Sequence, residues 1–72
     1  MKIPVIKPKE VLHKLQRKGF MIDHQTGSHI ILLNPVSNRR VTIAYHNKDI
    51  KRKTMQSIIK QSGLTMEEFN NL

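Results

Sequence analysis

Four histidines, His13, His24, His29 and His46, are the side chains of this 72-residue chain best suited to moving a proton near neutrality. An unperturbed imidazole titrates at about 6.5, so both of its forms are populated under ordinary conditions. The rest of the chemical inventory is thin. Cysteine is absent, which removes thiolate zinc sites, disulfides and cysteine nucleophiles together. Only five carboxylates occur, and they do not cluster as two-metal phosphodiester chemistry requires. The histidines share no ligand spacing with one another, and Asp23 is the single acid beside one of them. No metal and no other cofactor is therefore expected, and any nuclease built here would work without metal. The chain has no Gly-rich phosphate loop.

His29 has the most specific context, since it opens an apolar run directly after Gly27 and Ser28. Glycine allows another backbone to come close, and serine offers a hydroxyl and an amide N–H to a phosphate oxygen. Standing alone, Gly-Ser-His fits a surface histidine as well as a catalyst. His46 is the candidate acid for a leaving oxygen, because its parity sets it opposite Val41 and Ile43 and so on the same sheet face as His29. His13 and His24 read as structural or surface residues. Tyr45, the single tyrosine, either stacks a base or sits at the core margin, and its shared parity with Val41 and Ile43 favours the margin.

Charge narrows the partner. Thirteen Lys and Arg against five Asp and Glu give 13 − 5 = +8. Two of the acids, Glu67 and Glu68, stand near the end, so positions 1–64 carry 13 − 3 = +10. A polyanion suits such a surface, because each phosphate neutralised releases condensed counterions. Nucleic acid leads. Lipid anchoring needs a long amphipathic helix or a lipidation site, and neither is visible. From Met1 to Lys9 no apolar run is long enough for a signal peptide or a membrane span, so a cytoplasmic location is expected.

The elements that must hold these residues follow from periodicity. Val11, Leu12 and Leu15 fall at helical spacing between Lys9 and Lys18, with Pro8 suited to the first turn and Gly19 to the stop. The other face of that helix, His13, Lys14, Arg17 and Lys18, is either solvated surface or a ligand contact. After Gly19 the period becomes two: Phe20, Ile22 and His24 point one way, Met21, Asp23 and Gln25 the other. Thr26 to Ser28 turn into a second strand, His29 to Leu33, and the turn formers Asn34 to Asn38 lead to a third, Arg40 to Tyr45. A polar stretch from His46 to Arg52 precedes a helix whose stripe is Met55, Ile58, Ile59 and Ser62, stopped by Gly63. Thr65 and Glu68 have the spacing of a capping box, so Met66 to Asn70 adds a final turn with Leu64 and Phe69 as its staple.

The result is one α+β domain over residues 1–72, ordered αβββα, with a three-stranded antiparallel sheet and its helices on one face. The other face stays open. Ile30 to Leu33 are apolar at both parities, so either a protein partner or a second copy covers that face, or Ile31 and Leu33 are simply exposed.

Taken in order along nearly the full length, Lys18-Gly19-Phe20, Gly27-Ser28-His29, Tyr45-His46 with a basic run, Ser57 to Thr65, and Glu67-Glu68-Phe69 resemble the HicA family of mRNA interferase toxins. The resemblance implies a fold like the double-stranded RNA-binding domain, cleavage of mRNA that arrests translation, and neutralisation by an antitoxin of the HicB family. It implies His29 as the catalytic residue. The family usually carries Pro two residues before its second histidine and Gly before the Thr that opens the second helix, where this chain has Ala44 and Lys53. RNA supplies its own nucleophile, so a positioned imidazole can take the 2′-hydroxyl proton and assist in-line attack on the adjacent phosphorus, leaving a 2′,3′-cyclic phosphate. The expected RNA-binding set is Gly27, Ser28, Arg40, His46, Lys51, Arg52 and Lys53. The last three either face the developing phosphorane charge or act as bulk charge on a solvated loop. A binding module of the same fold, gripping RNA without reaction, is the alternative; a DNA-binding role is disfavoured because no helix-turn-helix pair is apparent.

Overall fold

A computed structural model describes residues 2–72; Met1, where the expected domain and the Met1 to Lys9 stretch begin, lies outside the described residues. The order is α1 (Pro8–Lys18), β1 (Met21–Thr26), β2 (His29–Asn34), β3 (Arg39–Ala44), α2 (Arg52–Ser62) and α3 (Met66–Asn70). The strands form one antiparallel sheet in the order β1-β2-β3. This is the expected α+β architecture, consistent with a double-stranded-RNA-binding-domain-like fold.

The helices close one face. Val11, Leu12 and Leu15 from α1 and Met55, Ile58 and Ile59 from α2 pack with Ile30, Leu32, Val41 and Ile43 of the sheet, and Phe69 of α3 completes the core. Each such aliphatic side chain taken out of water contributes about 1.5–3 kcal/mol, set against the entropy of ordering a short chain. Phe20, expected to open the first strand, is buried ahead of it, and its N–H donates back to the Leu15 carbonyl at 3.0 Å across the left-handed Gly19. The capping box of α3 is complete: Glu68 N–H donates to Thr65 Oγ1 at 3.0 Å and Thr65 N–H to Glu68 Oε1 at 2.9 Å.

Four local expectations are corrected. Alternation does not run through β1, because a bulge between Ile22 and His24 shifts the register; His24 pairs with Ile31 and Met21 with Leu33, so both lie on the open face. The stretch His46 to Arg52 is not wholly polar in role, for Ile50 is buried and its N–H donates to the Ile6 carbonyl at 2.9 Å. Lys14 is not merely solvated: its ammonium donates to the carbonyls of Phe69, Asn70 and Leu72 at 3.4, 3.5 and 3.0 Å, holding the end of α3 against α1. Tyr45 lies beyond β3 and is exposed rather than at the core margin. At the outer edge of β3, Thr42 N–H donates to Gln61 Oε1 of α2 at 3.1 Å, which occupies one of the donors that edge presents.

Candidate functional site

His29 stands at the first position of β2, exposed, with Thr26 and Ala44 as its cross-strand partners. Its placement is set by the two-residue Gly27-Ser28 turn. Gly27 has φ 57, a left-handed value that a β-carbon disfavours and that a tight hairpin turn requires. An added Cβ at Gly27 meets nothing within 4 Å, so open space surrounds the turn. Gln25 Nε2 donates to the Gly27 carbonyl at 3.1 Å, and Tyr45 N–H donates to the Ser28 carbonyl at 2.6 Å. His29 is thereby fixed by backbone on both sides while its ring stays in solvent.

Directly opposite pairs share a sheet face, so His29, Ile31 and Leu33 stand with their partners on the face away from the helices. Ile31 and Leu33 are half-buried there. The bulge in β1 brings a polar cluster to the same face. Asp23 Oδ2 accepts from His24 Nδ1 at 2.7 Å and from Arg40 Nη1 at 3.3 Å. These two contacts, His24 first and Arg40 next, hold the Asp23 carboxyl below its ordinary value. Arg40 pairs with Leu33, four residues along β3 from the His29 partner Ala44, a separation of roughly 13 Å at the rise of a strand. It shares the face with His29 but not the corner.

The remaining expected site residues follow the end of β3. β3 ends at Ala44, so strand parity does not reach His46 and its place is set by the loop that follows. His46 lines a pocket of ≈ 370 Å³ with Lys48, Lys51 and Thr54, floored by Ile43 and Ile58 of the core and reaching Ala44, the cross-strand partner of His29. Its Nδ1 accepts from Lys48 N–H at 3.1 Å, which leaves Nε2 as the nitrogen outside that contact. Arg52 borders a different pocket of ≈ 410 Å³ beside Lys2 to Val5, and Lys53 is exposed in the first turn of α2. The run Lys51 to Lys53 thus diverges over the surface rather than converging on one point.

Residues 8–64 match the family model described as HicA toxin of bacterial toxin-antitoxin. The chain belongs to the HicA toxin family. No curated protein matches it. As a HicA-family member it has the toxin role of a toxin–antitoxin system, which implies an antitoxin partner. The matched stretch runs from the start of α1 through α2 and contains the Gly27-Ser28-His29 corner, the Asp23 cluster and the His46 pocket; α3 follows it.

Within this HicA-family chain, the departure at Ala44 falls on the cross-strand partner of His29, and that at Lys53 falls away from it on α2. Sequence reading passed over the Asp23-His24 pair as a site. The adjacency of the two residues was the available signal, but strict alternation sets neighbours on opposite faces, and only the bulge lets Asp23 fold back onto the ring beside it. No helix among the described residues is long and apolar enough to cross a membrane. Among those residues no three His, Cys, Asp or Glu side chains gather as a metal site would require.

Proposed function

We propose that this HicA-family toxin is a metal-independent endoribonuclease that cleaves mRNA in the cytoplasm and arrests translation until a HicB-like antitoxin covers it. The observation that carries the reading is the position of His29: an exposed imidazole, set by a tight turn on the open face of the sheet of a toxin-family chain. In this mechanism neutral His29 takes the proton of a ribose 2′-hydroxyl. O2′ attacks the adjacent phosphorus, the bond to O5′ breaks, and the products are a 2′,3′-cyclic phosphate and a 5′-hydroxyl. Gly27 and Ser28 leave room for the phosphate, and the charge of +8 draws the RNA to the surface. His46, Lys51, Arg52 and Lys53 serve the RNA as phosphate contacts in this reading, His46 and Lys51 from the pocket that reaches Ala44 and Arg52 from the pocket beside it. The antitoxin takes the face that bears His29, Ile31 and Leu33, which gives the half-buried aliphatic pair a cover.

His29→Ala tests the reading with EDTA present. Cleavage of mRNA is expected to fall about 10²–10⁴-fold, the usual contribution of a positioned base, with RNA affinity nearly unchanged. Cleavage equal to that of the unaltered protein rejects His29 as base, and binding without cleavage by the unaltered protein leaves the non-catalytic RNA-binding module.

A further inference from the structure

In-line cleavage leaves a second proton unaccounted for, because O5′ departs as an alkoxide unless a group donates to it. The open face holds few donors. Thr26, Ile31, Thr42 and Ala44, which surround His29, carry no group that yields a proton near neutrality, and Arg40 does not deprotonate. His46 lies past the end of β3, outside the strand register, in a pocket that Ala44, Ile43 and Ile58 also line. The imidazole that the strand register itself sets on this face beside His29 is His24. It pairs with Ile31, while His29 pairs with Thr26, so the two histidines occupy diagonal positions on neighbouring strands. Diagonal neighbours on one face stand about 7–8 Å apart. Each ring then reaches its own oxygen through a hydrogen bond of about 2.6–3.2 Å, with phosphorus between them.

The ring of His24 is also held. Its Nδ1 donates to Asp23 Oδ2 at 2.7 Å, and the same oxygen accepts from Arg40 at 3.3 Å, so the carboxylate is gripped from two sides and in turn fixes which nitrogen faces outward. Nε2 is the free one. The His24 side chain remains 55% exposed, which leaves that nitrogen open to a substrate.

Resting on the ribonuclease reading above, we infer that His24 is the general acid of the cleavage: its Nε2–H protonates the leaving O5′ as His29 takes the 2′-hydroxyl proton, with Asp23 as the positioning residue. The proton balance closes. One proton passes from O2′ to His29 and one from His24 to O5′, the P–O2′ bond forms as the P–O5′ bond breaks, and solvent restores both rings.

A leaving-group substitution tests this. A short synthetic RNA spanning a cleavage site mapped with the unaltered protein is made with either oxygen or sulfur at the scissile 5′ bridge; the thiolate leaves without an acid. His24→Ala, and His24→Gln as a second variant in this exposed strand, are expected to lose about 10²-fold on the oxygen substrate and to retain near-normal rates on the sulfur substrate. His29→Ala is expected to lose on both. Asp23→Asn is expected to show a smaller loss, rescued by sulfur in the same way; a loss that sulfur leaves in place makes Asp23 structural only. Equal losses of the His24 variants on the two substrates, or no loss, overturn the assignment and leave the His29 base standing. Sulfur rescue in His24→Ala together with normal cleavage by His29→Ala upholds the acid and rejects the base. No cleavage by the unaltered protein removes both.

Discussion

The two faces of β2 divide the protein's work between them. Ile30, Leu32 and the buried Asn34 look toward the helices, where Leu32 has no solvent exposure; His29, Ile31 and Leu33 look the other way, with no helix over them. One residue of translation along the strand exchanges the two sets entirely. The helix-covered face gives the chain its stability, and the open face is thereby free to carry polar groups whose replacement costs the fold little. That separation explains how a chain of 72 residues presents histidines and an Asp–Arg pair without weakening its core.

If the division is right, substitutions on the two faces have opposite signatures. His29→Ala is expected to remove about 3–5 kcal/mol of transition-state stabilisation, as a rate loss of 10²–10⁴ implies, while its melting temperature stays close to that of the unaltered protein. Leu32→Ala, three positions away, is expected to cost about 2–5 kcal/mol of folding stability through the cavity it opens. In a domain of this size each kcal/mol lowers the melting midpoint by roughly 4–8 °C. Ile31→Ala is the closest control, because the same strand carries it half-buried on the open side; its cost is expected to be clearly below that of Leu32→Ala. Thermal melts of the three variants decide the matter, and equal destabilisation at positions 31 and 32 removes the distinction between the faces.

Much of this arrangement is legible in the residues themselves, and the parts that are not share a cause. In β2 and β3 the apolar residues at 30, 32, 41 and 43 announce the buried face, since burial against helices enforces a period of two. The helix stripes and the Thr65–Glu68 cap are equally plain, because each is a local signal. β1 is different: every one of its residues is exposed, so no burial disciplines its pattern, and the bulge at Asp23 reverses the faces of the later strand residues without any glycine or proline to mark it. His46 lies beyond the reach of parity for a related reason, as parity has meaning only while the ladder lasts, and β3 ends two residues earlier. Ile50 is a single apolar residue in a polar loop, with no partner in sequence to give it a period; it joins the core, and its N–H pairs with the distant Ile6 carbonyl. The histidine corner at 27–29 is readable in type, but its neighbours across the sheet are a property of register.

A smaller effect sharpens the account of the covered face. α3 has only five residues and survives as a helix through its cap, through Phe69 in the core, and through Lys14, which holds its last carbonyls and lies 5.4 Å from the Phe69 ring centre. Thr65→Ala removes the acceptor for Glu68 N–H and leaves the other two supports. A loss of about 1 kcal/mol is expected, the usual effect of deleting an N-cap oxygen, with RNA cleavage unchanged because α3 lies under the opposite side of the sheet from His29. A loss of cleavage at unchanged stability runs against the division of the faces.

The smallest effect belongs to the open face and appears only in acid. Asp23 is held below its ordinary value of 3.8 by His24 and then by Arg40, so the folded state binds its proton less readily than the unfolded chain does. The stability this supplies is complete above the unfolded value and is lost as pH falls through it toward the lowered folded one. Glu68 behaves in the same direction from 4.5, owing to the Thr65 backbone and then the Thr65 hydroxyl, and contributes to the same acid limb from the other side of the molecule. Asp23→Asn is therefore expected to flatten part of the fall in melting temperature between about pH 5 and about pH 2, and the Glu68 share is expected to persist in that variant. Added salt screens the exposed Asp23–Arg40 contact and shrinks the difference further. A melting curve whose acid limb is the same in Asp23→Asn and in the unaltered protein at low salt means that the cluster is not held together in solution, and His24 then loses the contact that aims its ring.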